Sequence, residues 1–75
     1  MTKEEICEAF LQYLQEKDLD GISYGDFWSV LHKRGLRIRG HNFKNERDNV
    51  YHALSSDLRI EKVKPGYFVP RSAKS

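Results

Sequence analysis

The chain of 75 residues is 39% hydrophobic, 12% aromatic and 32% charged, the balance of one small globular domain and not of a disordered tail. No apolar run nears the ~20 residues of a membrane-spanning helix, no signal-peptide stretch follows Met1, and the single cysteine, Cys7, excludes an internal disulfide and fits an intracellular setting, cytoplasm or nucleus. The net charge of +2 conceals a segregation, because residues 1–32 carry two Lys and Arg against seven Asp and Glu whereas residues 33–75 carry eleven against four, a pattern suited to a basic face for a polyanion.

Thr2 and Glu5 are spaced as a capping box, so a first helix is predicted to start there. Ile6, Phe10, Tyr13, Leu14 and Lys17 follow one face of it, and Glu4, Glu8, Gln12 and Glu16 fill the other. Asp18-Leu19-Asp20-Gly21 is turn chemistry that ends it near Lys17. Ser23 and Asp26 predict a second helix start, with Ile22 and Phe27 placed for a hydrophobic staple. Phe27, Val30 and Leu31 form its inward stripe, Trp28 its edge, and Gly35 its stop. A basic connection, Leu36 to His41, offers two apolar residues to the core. The third helix is predicted from Asn42 or Asn45 to about Asp57, with Phe43, Val50, Tyr51, Leu54 and Leu58 within one buried arc.

The last segment reads as a hairpin. Arg59–Val63 has strand character, Lys64-Pro65-Gly66-Tyr67 suits a type II turn, and Tyr67-Phe68-Val69 returns. Ile60 and Val63 have opposite parity, which only a bulge would reconcile. The fold class is therefore α+β, a small winged helix-turn-helix with three helices followed by a two-stranded β-hairpin wing, and Gly21-Ile22-Ser23 available as a short third strand. Residues 1–69 form this domain and residues 70–75 a disordered tail or linker.

Gly35-Leu36, then Asn45, Val50, Leu54 and Asp57, then Val63-Lys64-Pro65-Gly66-Tyr67-Phe68-Val69 resemble HARE-HTH domains over most of residues 3–69. Such domains are winged helix-turn-helix modules of chromatin proteins, restriction endonucleases and the delta subunit of bacterial RNA polymerase. The resemblance implies a nucleic-acid-associated adaptor without catalytic residues, one that binds DNA and senses its modification, or that acts through protein contacts as the polymerase subunit does.

The residues make their own case for duplex DNA. Opposite the apolar arc of the third helix stand Asn45, Asn49, His52 and Ser56, side chains that donate to or accept from base edges, with Asn49 and His52 the expected readers. Lys44 flanks this row, and Arg37, Arg39, Lys62 and Lys64 lie in the loop and wing where phosphates would run. Glu46 and Asp48 oppose that reading, and Asn45 leaves the set if it caps the helix. The alternative for this row is the solvated face of a surface helix. The rival function is a protein–protein adaptor in a transcription or chromatin complex, using the acidic first helix or an exposed Trp28 or Tyr67.

Enzyme chemistry has no support in the sequence. His32, His41, His52 and Cys7 lack zinc-ligand spacings. Cys7 reads as a small residue at the core edge, and the first-helix carboxylates have no apolar cleft to tune them. No cofactor, membrane partner or small-molecule substrate is expected.

Overall fold

Three helices and a three-stranded antiparallel sheet make up residues 1–71, the part of the chain described by the computed structural model. The order is α1 (Lys3–Lys17), β1 (Ile22–Ser23), α2 (Tyr24–Lys33), α3 (Phe43–Ser56), β2 (Ile60–Lys64) and β3 (Tyr67–Pro70). The caps act as their spacing predicts. The Glu5 amide donates to the Thr2 hydroxyl and the Thr2 amide to the Glu5 carboxylate, completing the capping box of α1. The Asp26 amide donates to Ser23 at the start of α2. At its end Gly35 and Leu36 donate to the His32 and Leu31 carbonyls, both at 3.0 Å, the two bonds of a Schellman stop. For α3 the cap is Asn42, which accepts from the Asn45 amide at 2.9 Å, so the Asn45 carboxamide is left out of the cap.

The sheet has the order β1-β3-β2, so the expected two-stranded hairpin is part of a larger sheet and β3 is its centre. Ile22 and Ser23 pair with Phe68 and Tyr67, and the Tyr24 amide donates to the Gly66 carbonyl at 2.9 Å. Gly66 takes φ 75° in the turn, which supplies the positive φ that a type II turn needs. The parity conflict is settled by a bulge. Lys62 pairs with Phe68 and Lys64 with Tyr67, leaving Val63 as the extra residue. Ile60 is buried, while Val63 stays 52% exposed. Pro70 belongs to β3, and the Arg71 amide donates to the Arg59 carbonyl at 2.7 Å, so the ordered chain runs past the expected boundary at 69. The remainder of the expected tail, 72–75, lies outside the described residues.

The core joins Ile6, Cys7, Phe10 and Leu14 of α1 to Phe27, Trp28 and Leu31 of α2, Val50, Ala53 and Leu54 of α3, and Ile60 and Phe68 of the sheet. Phe10 meets Phe27 edge-on at 5.3 Å, and Tyr51 meets Phe68 at 5.5 Å. Ile38 of the connection is buried as expected, but Leu36 is exposed. Several sequence expectations are corrected here. Phe43 and Leu58 are 55% and 85% exposed: Phe43, the first residue of α3, meets α2 on one side only, and Leu58 lies beyond the end of α3 at Ser56. Lys17 is exposed and Val30 half-buried. Trp28, expected at the edge, is only 8% exposed, and Cys7 is fully inside. Burial pushes the Cys7 thiol up to about 12, helped by the nearby Asp57 carboxylate, so it is a neutral packing group.

Where α3 gives way to β2, Arg59 ties three elements together. Its guanidinium forks onto Asp57 at 3.0 and 2.8 Å and reaches Glu8 of α1 at 2.8 Å, while its amide also donates to Asp57. These bonds hold the Asp57 carboxyl down to about 2. Because the folded-state value lies below the unfolded one, the stabilisation is complete above ~4 and disappears as pH falls through about 2.

Two measurements check this architecture. Leu54→Ala should cost ~2–5 kcal/mol and Phe27→Ala ~3–5 kcal/mol, enough to abolish most of the cooperative melt of so small a domain; an unchanged melt would exclude the core described. In acid titration followed by circular dichroism, the wild type should lose stability between pH ~4 and ~2, and Asp57→Asn should remove that component while lowering stability at neutral pH.

Candidate nucleic-acid interface

Burial of Val50, Ala53 and Leu54 turns the opposite side of α3 outward, and a shallow concavity runs along it. It is lined by Arg39, Gly40 and His41 of the connection and by Asn45, Asp48, Asn49 and His52 of the helix. Four of the sequence-predicted residues, Arg39, Asn45, Asn49 and His52, therefore share one site. His41 and Asp48 join them, although the sequence places His41 in the basic connection without a binding role and counts Asp48 as a charge against DNA.

The connection is held in place. Ile38 is anchored in the core, and the Asn49 carboxamide donates to the Arg39 carbonyl. Gly40 sits so close to α3 that a Cβ there would lie 2.7 Å from the Glu46 nitrogen, at φ 156°, so only glycine fits without strain. Asn49 is consequently half-buried and partly committed, in contrast to the free base-reading amide expected from the helical row. Ser56 is also committed, its hydroxyl donating to the Ala53 carbonyl at 2.9 Å. Asn45 and His52 remain the outward polar groups; His52 is exposed and edge-on to Tyr51 at 5.9 Å.

The cations fall on two sides of the helix. Arg37 and Arg39 are exposed in the connection, whereas Lys44, seven residues before Tyr51 in α3, is exposed on the side that Tyr51 faces. On that side Lys62 donates to the Tyr51 hydroxyl at 2.8 Å with its ammonium 5.3 Å from the ring centre, and Lys64 lies 5.0 Å from the Tyr67 ring centre. Tyr51 had been assigned only to the buried arc. Its place at the border of that arc, with a hydroxyl needing a partner, was the available signal of this second role.

Two features reshape the charge pattern. Glu46 turns inward and its carboxylate accepts from the Trp28 indole at 3.0 Å, leaving Asp48 as the carboxylate of the concavity. Arg34 and Arg59 pair with Glu16 and Glu8, which removes them from any basic face. Among the described residues no three His, Cys, Asp or Glu side chains converge as metal ligands. No helix there is long and apolar enough to cross a membrane.

Asn49→Ala should release the connection. Amide exchange at Arg39, Gly40 and His41 should accelerate, with a loss of ~1 kcal/mol in global stability. Unchanged exchange at these three amides would mean that Ile38 and Gly40 suffice to hold the loop.

Comparison of the chain with protein-family models, with curated proteins and with solved structures finds no match.

Proposed function

We propose that this domain is a non-catalytic winged helix-turn-helix module that binds duplex DNA, with the outer face of α3 in the major groove and the β2–β3 hairpin as a wing on the backbone. The observation that carries this reading is the setting of α3. Its outer face lies between the Arg39 loop, pinned by Asn49, and Lys62, held against Tyr51. A helix of 14 residues is about 21 Å long and has the width of the major groove. Cations on both sides of it meet the phosphates that line such a groove. Asn45 and His52 are the groups that face the bases, with Asn49 contributing what its bond to Arg39 leaves over. Asp48, between the cations, opposes phosphate and accepts only from an exposed base donor such as the cytosine amine. A module of this kind serves as the targeting part of a larger regulatory, chromatin or restriction protein.

Titration of a short random duplex at several salt concentrations tests the reading. Replacing Lys62 and Lys64 together by alanine should weaken all sequences alike and lower the slope of log K against log salt by up to ~1.8. Asp48→Asn should strengthen nonspecific binding. No saturable binding excludes the DNA reading, and a slope indifferent to both lysines removes the wing from it.

A further inference from the structure

A second surface lies on the other side of α3. At ~100° per residue Phe43 and Arg47 both lie about 160° from Asn45, facing α2. There His32 stacks on Trp28 at 5.0 Å, and Phe43 packs against Trp28 at 5.2 Å and against His32 at 5.1 Å. The Arg47 guanidinium lies 5.3 Å from the Trp28 ring centre. Beside this cluster a cleft lined by His32, Leu36, Arg37 and Ile38 separates the end of α2 from the start of α3. Phe43 is 55% and Leu36 40% exposed, so a step of apolar surface borders the cleft without a cover.

We propose that this step is a docking surface for a short acidic peptide segment of another protein, anchored by one aromatic or large aliphatic side chain. Charge argues for the acidic character of the occupant. Arg37 lines the cleft and Arg47 lies on Trp28 beside it, and neither forms an ion pair among the described residues. The carboxylate that lines the cleft, Glu46, accepts from the Trp28 indole and keeps its charge, so two guanidinium groups stand there against one carboxylate. An apolar anchor covers Phe43 and Leu36, while the carboxylates beside it reach the guanidinium groups, which bind them in bidentate geometry. A nucleobase fits less well. The Trp28 ring is covered by His32 and Arg47, and Phe43 and His32 meet at 70°, so no flat platform is open for stacking.

The test selects a displayed random-peptide library on the intact chain and maps the enriched peptides by amide and indole chemical shifts. Enriched peptides should carry Asp or Glu beside Phe, Trp, Leu or Ile, and should move the Trp28 indole N–H and the amides of His32 and Phe43. Phe43→Ser and Arg47→Glu should each weaken them about tenfold or more. Both side chains lie over Trp28 at the margin of the core, and a melt that stays cooperative verifies the fold of each variant. Phe43→Ser should leave duplex affinity within about twofold, which separates this surface from the outer face of α3 whatever that face binds. The proposal is overturned if no such class is enriched, if binding survives both substitutions, or if the shifts fall on Asn45 and His52. It is also overturned if a single-stranded oligonucleotide saturates the Trp28 cluster and the peptides do not.

Discussion

Burial of one stripe on α3 organises this domain. Val50, Ala53 and Leu54 meet α1, α2 and β2 together, so the helix is the one element that every layer shares. A chain of this size buries only ~60% of its unfolded surface, and no second core exists among the described residues to compensate if that stripe is lost. The same burial has a functional consequence. Since a helix repeats every 3.6 residues, fixing Val50 and Leu54 inward fixes Asn45 and His52 outward, and it leaves Phe43 and Arg47 on the α2 side.

The connection between α2 and α3 has no regular secondary structure, yet it is attached at several points, among them a bond from the Met1 ammonium to the Arg37 carbonyl at 2.7 Å. The Schellman bonds set its departure, Ile38 fills the core, Gly40 abuts the α3 backbone, and Asn49 captures the Arg39 carbonyl. This arrangement presents Arg37 and Arg39 in a fixed place beside α3, which lowers the ordering cost of any contact they make. It also removes part of the hydrogen-bonding capacity of Asn49. One residue thus serves the scaffold at the expense of the surface.

Charge is redistributed in a similar way. The acidic segment 1–32 and the basic remainder of the chain are stitched together by Arg59 to Glu8 and Arg34 to Glu16. Such exposed pairs add little stability, but they decide which cations stay unpaired. Among those that remain, Lys62 and Lys64 rest on tyrosine rings and Arg47 on Trp28. Cations set on aromatic faces keep their charge toward solvent while burying their stems.

The starts of α1 and α2, the α2 stop, the Pro65-Gly66 turn and inward positions such as Phe10, Leu14, Phe27, Leu31, Val50 and Leu54 were legible in the sequence, because caps and turns depend on residues a few positions apart and helical periodicity assigns the apolar stripe. The outward row of α3 was legible too, since helical periodicity assigns it once the apolar stripe is known. What only the tertiary structure decided are matters between residues far apart in the chain. The third strand arises because β3 pairs with β1, some 45 residues earlier. Trp28 is buried because Glu46, Phe43 and Arg47 close over it. Asn49 is committed because a carbonyl ten residues away is brought to its amide, and Leu58 is exposed because α3 ends before reaching it. Periodicity states which way a side chain points; what meets it there is set by elements whose positions no local rule contains.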